Sequence, residues 1–267
     1  VVGAEDKMNL AGQIEAQQLN GLPIISNSNV NTISDFKPSY SYGERTRSFL
    51  KVQDGCDYNC SFCTIPLARG KSRSCNISMT LAQAHEIAQT EVREIVLTGV
   101  NVGDFGKNHN ESFIELIKKL DEVEGIDRYR ISSIEPNLLT DEIIEFTANS
   151  IKFLPHFHIP LQSGSDEILK TMRRRYKTEL YSNRVKKIQS IMPNVCIGVD
   201  VIVGFPGEND NYFKETYDFL NALDIAYLHV FSYSMRDNTE AVKIKDKITL
   251  DIISERSKML HHLSTVK

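Results

Sequence analysis

The chain has 267 residues, 41% of them hydrophobic, which is enough for one large globular core. Its formal net charge of −4 excludes a basic field over the whole chain, so any phosphate contacts must come from local patches. No apolar run approaches the roughly 18–20 residues that span a bilayer, so we expect no membrane partner.

Residues 1–46 differ in composition from the rest of the chain. Residues 9–19 favour a short helix, and residues 21–43 are rich in Asn, Ser and Pro, which is typical of a connector. Because the chain begins with Val1 rather than Met, we expect the natural N-terminus to lie upstream, with residues 1–20 the tail of a preceding domain.

Six short apolar segments, rich in β-branched and aromatic residues, follow this region. They cover residues 48–53, 94–99, 129–134, 157–162, 197–204 and 227–234. Nearly continuous hydrophobic runs of this kind are typical of parallel strands that are covered on both faces. We therefore predict six strands of a parallel sheet.

Helical patterns lie between and after these strands. Ser112 and Glu115 have the spacing of a capping box, residues 166–191 favour a helix with a break near 176–179, and a last helix is predicted from Thr249. Strand starts recur every 28 to 46 residues, which predicts an α/β fold of six βα units. Such units form an open doubly wound sheet or a partial (β/α)6 barrel, and both bind ligands at the carboxyl ends of the strands.

Three of the five cysteines lie within eight residues, directly after the first predicted strand. Cys56, Cys60 and Cys63 have the spacing C-x3-C-x2-C, which favours an iron–sulfur cluster or zinc. A closed structural zinc site uses four ligands, whereas a cubane held by three leaves one iron open to a small molecule. We therefore expect the three cysteines to hold a 4Fe–4S cluster with one open iron. The odd cysteine count indicates a reducing compartment, so we expect a cytoplasmic protein.

Other readings of these cysteines remain open. Cys75 could complete a four-cysteine zinc site or a ferredoxin-like cluster, which would make the chain a non-catalytic metal or electron-transfer module. Plant-type ferredoxins, however, place four residues between their first two cysteines, and zinc ribbons use two C-x2-C knuckles. We interpret Cys75 and Cys196 as ordinary thiols.

The cysteine motif, with Phe62 before its last cysteine, resembles that of the radical S-adenosylmethionine (SAM) superfamily. Segments 54–74, 97–106, 132–136, 158–166 and 200–208 resemble the methylthiotransferase family, in order and at the ends of successive predicted strands. The motifs VQDGC, LTG, SSIEP, PLQSGSD and LHVFSYS are most similar to the branch that acts on threonylcarbamoyladenosine beside the tRNA anticodon. Its siblings act on isopentenyladenosine in tRNA or on an aspartate of a ribosomal protein.

The resemblance implies a radical SAM partial (β/α)6 TIM-like barrel with a remnant of an N-terminal methylthiotransferase domain. It divides the chain into 1–46, the tail of that domain plus a linker, 47–240, the barrel core, and 241–267, a helix leading to a missing TRAM domain. It further implies that SAM binds the open iron and is cleaved to a 5′-deoxyadenosyl radical. A second cluster is expected on the missing N-terminal domain.

The resemblance also implies where SAM binds. Phe62 is expected at the adenine, Gly99 at the methionine moiety, and Ser133 and Glu135 at the ribose or the ammonium group. The remaining expected cofactor residues lie at later strand ends and are Gln162, Ser163, Asp200, Ile202 and Gly204. Each has a structural alternative, such as a turn glycine or a barrel salt bridge.

The expected partners are the tRNA anticodon loop and an electron donor such as flavodoxin or ferredoxin. Arg69, Arg73 and Arg174 are candidate contacts to the substrate, with a solvated helix face as the alternative. Recognition of an RNA loop also needs exposed aromatic rings for stacking, and Tyr58 and Phe105 are the candidates.

Overall fold

The protein, described here from a computed structural model, is an alternating α/β chain for which the structure describes residues 2–3, 6–21, 23–26, 29–41 and 46–267. The strands are β1 Ser39–Tyr40, β2 Arg47–Lys51, β3 Gln53–Asp54, β4 Arg73–Ser74, β5 Glu94–Thr98, β6 Arg128–Ile131, β7 His156–Gln162, β8 Cys196–Val203 and β9 Tyr227–Ser232. The α-helices are α1 Leu10–Asn20, α2 Ile65–Arg69, α3 Ile77–Ala88, α4 Phe113–Asp121, α5 Asp141–Asn149, α6 Asp166–Thr171, α7 Thr178–Ile191, α8 Asp210–Ala222 and α9 Leu250–Val266.

The strand order decides between the two predicted architectures. Strands β2, β5 and β6 pair in parallel, as do β7, β8 and β9, and β1 adds antiparallel to β2. A bridge between Ser133 and His158 and a hydrogen bond of 3.1 Å from the Ile134 N–H to the His158 carbonyl join the two groups. The spatial order therefore follows the chain order, whereas a doubly wound sheet reverses its order at a switch point. The six parallel strands therefore form the predicted partial barrel rather than a doubly wound sheet.

The two faces of the barrel wall differ in chemistry. Alternate strand residues such as Leu50, Leu97 and Val199 are fully buried in one hydrophobic core with the helices. Among the intervening residues, His158 and Asp200 are only half-buried, and they face the barrel interior. The helices thus seal the outer face, and the inner face is left for polar side chains.

Most predicted elements are confirmed, and the departures concern their ends. The Ser112–Glu115 capping box starts α4, and the predicted break separates α6 from α7. The first predicted strand ends at Lys51, because the chain then turns so that β3 pairs antiparallel with β4. Helix α9 packs into the same core through Leu260 and Leu263. None of the described helices is both long and apolar enough to cross a membrane.

Candidate cluster and cofactor site

The cysteine loop runs from β3 to α2 and is held at its base by the β3–β4 pair. Gly55 has a φ of +70°, and a Cβ at this position would lie 2.0 Å from the Lys71 carbonyl oxygen. The Cys56 N–H donates to the Gly70 carbonyl at 3.1 Å. Only glycine allows this close approach of the two backbones, which places the first cysteine.

The thiols of Cys56, Cys60 and Cys63 are half-buried and free. The Tyr58 N–H donates to the Cys56 Sγ at 3.4 Å, and the Ile65 N–H donates to the Cys63 Sγ at 3.5 Å. Burial raises the pKa of Cys56 to about 11; the Tyr58 N–H opposes this rise, and the charges of Cys60 and Cys63 add to it. Three thiols on one short loop, with backbone N–H donors aimed at two of the sulfurs, suit a metal cluster that needs thiolates.

Cys75 belongs to a different environment. Its side chain is buried next to α3, and this burial raises its pKa to about 11, with Lys51 the one charge that opposes the rise. In the β3–β4 pair Gln53 lies opposite Ser74 and Asp54 opposite Arg73, so Cys75 lies beyond the start of β3, whereas the cysteine loop begins after its end. The three thiols of the loop therefore group together without the thiol that the zinc and ferredoxin interpretations require.

Gln53 connects the cysteine loop to the end of β5. Its buried amide donates to the Gly55 carbonyl at 2.8 Å, and its Oε1 accepts from the Val100 and Asn101 N–H groups at 2.9 Å each. A Cβ at Gly99 would lie 2.9 Å from the same Oε1, so glycine is required by this contact. Gly99 also lines a cavity of about 440 Å³ with Lys51 and Arg69.

Arg174 links the loop to the end of β6. Its guanidinium donates to the Cys60 Sγ at 3.1 Å, to the Tyr176 hydroxyl at 3.1 Å, and to the Glu135 carboxylate. Burial raises the pKa of Glu135, and Arg174 opposes that rise. Burial likewise raises the pKa of Cys60, and the positive charge of Arg174 opposes the rise. Arg174 is thus a buried residue of the cluster site rather than part of an exposed face.

A cavity of about 220 Å³ lies beside the cysteine loop at the carboxyl ends of β8 and β9. It brings together Phe62, Cys63 and Ile202, three residues that sequence analysis assigned to the cofactor or the cluster. The Phe62 ring packs edge-on against Phe205 with ring centroids 6.3 Å apart. Sequence analysis missed the other side of this cavity, which is formed by Phe231, Ser232, Tyr233, Ser234 and Arg236. The strand-end rule, applied to the sixth predicted strand, could have found them.

The predicted residues of β6 and β7 have different surroundings. Ser133 bridges to β7 and is half-buried, and Gln162 ends β7 with a φ of +70° after a bulge. Ser163 is completely buried, and its hydroxyl bonds to the Thr216 hydroxyl at 3.1 Å and accepts from the Ser165 N–H. The Ser163 side chain therefore anchors α8 to this loop.

The predicted residues of β8 also separate. The Asp200 carboxylate accepts from the His158 Nε2 at 2.7 Å and from the His229 Nδ1 at 3.2 Å, deeper in the barrel than Ile202. Gly204 has a φ of +76°, and a Cβ there would lie 2.3 Å from the Ile253 Cγ1 of α9. Packing of α9 is thus sufficient to explain this glycine.

Of the remaining candidate RNA contacts, Arg69 is exposed, whereas Arg73, Tyr58 and Phe105 are buried. Arg73 is buried and bonds to Asp54 at 3.0 Å, so its guanidinium holds the loop base, while Arg69 is exposed and bonds to the same carboxylate at 3.1 Å. Tyr58 and Phe105 are buried. The Tyr58 hydroxyl accepts a hydrogen bond from the Asn137 side chain, and Phe105 lies in the hydrophobic core. Neither ring can stack on a base.

Residues 50–220 match the family model described as the Radical SAM superfamily. Over 99% of its length the chain is 41% identical to a protein of Bacillus subtilis named threonylcarbamoyladenosine tRNA methylthiotransferase, of which it covers 59%. A protein of the same name from Thermotoga maritima is 37% identical over 97% of the chain, which covers 61% of it. The chain therefore spans about 60% of the length of these two curated relatives.

Solved structures show the same fold at low sequence identity. The radical S-adenosylmethionine methyltransferase TsrM from Kitasatospora setae has a TM-score of 0.61 and 15% identity, over 72% of this chain and 38% of that one. Coproporphyrinogen III oxidase from Escherichia coli has a TM-score of 0.58 and 16% identity, over 80% of this chain and 52% of that one. These structures show the fold alone, whereas the family model over residues 50–220 and the 41% identity to the Bacillus subtilis protein show that the chain belongs to the radical SAM superfamily.

Proposed function

We propose that this chain is the radical core of a tRNA methylthiotransferase, which adds a methylthio group to C2 of N6-threonylcarbamoyladenosine next to the anticodon. The observation that carries the proposal is that three thiols share one short loop whose Cys63 lines the Phe62 cavity, while Cys75 lies at the other end of the β3–β4 pair. The substrate assignment is supported by the similarity to proteins of that name across nearly the whole chain.

Cys56, Cys60 and Cys63 would hold a 4Fe–4S cluster with one iron open to SAM. When bound, this cluster supplies the electron that cleaves SAM to a 5′-deoxyadenosyl radical. Phe62 and Ile202 provide the apolar walls that hold an adenine and exclude water. Glu135 offers its carboxylate to the ribose or the ammonium group, and Arg174 keeps that carboxylate and the Cys60 sulfur in place.

The remaining cofactor assignments depend on backbone and strand-end positions. Gly99, Ser133, Gln162, Asp200 and Gly204 lie at or near the carboxyl ends of β5 to β8, where a ligand of this fold binds. We further propose that the protein acts in the cytoplasm with flavodoxin or ferredoxin as the electron donor, because tRNA and low-potential carriers occur there.

Anaerobic reconstitution with iron and sulfide tests the cluster. We expect the wild type to take up one 4Fe–4S cluster and to change its electron paramagnetic resonance spectrum when SAM is added. Cys60→Ser should lose the cluster, whereas the matched control Cys75→Ser should keep both cluster and SAM response. Loss of the cluster in Cys75→Ser, or a cluster indifferent to SAM, would instead indicate a four-cysteine module.

The substrate is tested in a second experiment. A protein that contains this chain and has the full length of the curated relatives is incubated with transcripts bearing threonylcarbamoyladenosine or isopentenyladenosine. It is also incubated with the ribosomal protein. Methylthiolation of the first RNA alone is expected. Modification of either of the other two would reassign the branch and leave the radical chemistry intact.

A further inference from the structure

Strand β9 carries a row of rings on the inner face of the barrel. Tyr227, His229 and Phe231 alternate along the strand; the ring centroids of the first two are 5.0 Å apart, and those of the last two are 6.5 Å apart. Alternate residues of a strand share one face, so the three rings form a continuous aromatic ladder. The ladder lies at the edge of the described sheet, since β9 pairs with β8 alone.

The upper end of the ladder is open to solvent. Among the residues that the structure describes, Phe231 is the only phenylalanine or tyrosine that is exposed, at 52%, and His229 is 48% exposed. Every other described ring of those two types is buried or half-buried. The exposed Phe231 ring at the mouth of the barrel offers an apolar face on which a flat ligand can stack.

Neighbouring side chains fix the orientation of the His229 ring in the ladder. Asp200 accepts from the His229 Nδ1 at 3.2 Å and from the His158 Nε2 at 2.7 Å, and the two imidazoles lie edge to face, with ring centroids 5.2 Å apart. A carboxylate only accepts hydrogen bonds, so it fixes the His229 tautomer with Nδ1 protonated and Nε2 as the acceptor. That acceptor suits the N6–H of an adenine.

The position of Phe231 relates the ladder to the cofactor cavity. Phe231 lines the rim of the cavity that contains Phe62, Cys63 and Ile202, and the exposed Arg236 lies on the same rim. A base stacked on Phe231 would therefore lie next to a SAM molecule held by Phe62 and Ile202. The Arg236 guanidinium would be available to the phosphate of that nucleotide.

We propose that Phe231 and His229 form the stacking platform for the adenine base that is modified, presented from a single-stranded RNA loop. This inference rests on the proposed function. Aromatic stacking and edge hydrogen bonds are how proteins bind unpaired bases, and stacking tolerates modifications at N6 because the ring face remains free.

The test measures the contribution of one base to RNA binding. Two synthetic anticodon stem–loops are compared by fluorescence anisotropy at one salt concentration, one with adenosine and one with an abasic site beside the anticodon. The phosphate contribution is the same for both, so the ratio of their dissociation constants reports the base alone. We expect the wild type to bind the adenosine RNA roughly 10- to 100-fold more tightly.

Substitutions in the aromatic ladder and just beyond it test whether the ladder causes the preference for the adenosine RNA. Phe231→Leu should bring the ratio close to one, whereas Phe231→Tyr should preserve it. The matched control is Met235→Ala, which removes a side chain 58% exposed just beyond β9 and outside the ladder; it should preserve the ratio. A ratio near one in the wild type, or an unchanged ratio in Phe231→Leu, would overturn the inference.

A second measurement distinguishes the adenine of the RNA from the adenine of SAM as the ligand of Phe231. In Phe231→Leu the SAM concentration that half-saturates the spectral change of the cluster should shift by a much smaller factor than the RNA ratio. A large rise in that concentration with an unchanged RNA ratio would assign Phe231 to the adenine of SAM and overturn the platform. Failure of the cluster to respond to SAM in the wild type would instead contradict the proposed function.

Discussion

On one side of the cofactor cavity, the chain from Gln53 to Cys63 is held by buried ion pairs and a buried amide, so its geometry exists before any ligand binds. At the other end of the strand order, β9 presents the exposed Phe231 ring at the same cavity. The comparison indicates that the wall we propose for the cofactor is preorganised by buried contacts, whereas the wall we propose for the substrate is open to solvent. Stability should therefore be sensitive to changes in the first wall and tolerant of changes in the second.

The largest effect is expected for Asp54→Asn in the preorganised wall. The buried Asp54 carboxylate neutralises the buried Arg73 guanidinium at 3.0 Å, and the neutral amide would leave that charge without its partner. We expect a loss of about 3–5 kcal/mol in the free energy of unfolding, measured by urea titration under anaerobic conditions. Asp218→Asn, in an exposed pair with Lys214, should cost less than about 1 kcal/mol. Equal costs would refute the contrast between buried and exposed pairs.

Next in size are two glycine substitutions behind the cavity. Gly204 and Gly207 both have positive φ, but a Cβ at Gly204 would clash with Ile253, whereas nothing lies within 4 Å of one at Gly207. Gly207→Ala should cost about 1–2 kcal/mol of backbone strain. Gly204→Ala should cost a further 1–3 kcal/mol or so, because it also overpacks the core. The difference should shrink in an Ile253→Ala background, and a difference that persists there would exclude the clash as its cause.

A smaller effect concerns pH and a histidine inside the barrel. Burial lowers the pKa of His156 to about 4, with Arg130 and His158 adding to the shift. Between about pH 6.5 and 4 the unfolded chain binds a proton that the folded chain does not, so stability falls as the pH falls through this window. His156→Gln should therefore lose less stability than the wild type between pH 7.5 and 5.5, as measured by urea midpoints. The exposed His262→Gln should behave as the wild type does. An unchanged slope in His156→Gln would show that folding does not lower the pKa of His156.

The smallest effect is expected in the open wall. Phe231→Ala should change the free energy of unfolding by no more than about 0.5 kcal/mol, because its ring is half in water. Phe205→Ala removes a completely buried ring and should cost about 3–5 kcal/mol. Thermal unfolding of the two variants compares these values directly. A large loss in Phe231→Ala would mean that the ring supports the fold rather than a ligand.

Sequence patterns anticipated the features that depend on neighbours along the chain. Ser112 and Glu115 cap α4 as predicted because both partners lie within one helical turn. The apolar runs became strands because alternate residues along them are buried against the helices on the outer face of the barrel. The cysteine spacing places three thiols on one short loop, whatever the rest of the fold does.

Contacts between distant segments could not be predicted in this way. Arg174 reaches Cys60 across 114 positions, and sequence alone placed it among candidate RNA contacts. Arg73 and Tyr58 were assigned to the substrate, yet both are buried against partners that only the folded chain brings near. Conversely, Phe231 lies in an apolar strand motif, and only the edge position of β9 shows that its ring is exposed.

By itself the sequence determined six βα units, the capping of α4 and a three-thiol loop at a strand end, because these follow from residue spacing and local backbone preference. The tertiary structure alone decided that the strands add in one direction to form a partial barrel, that Cys75 stays apart from the loop, and that β9 lies at the edge with its rings in solvent. These outcomes depend on which distant surfaces pack together, and packing free energy is shared among residues that no local pattern connects.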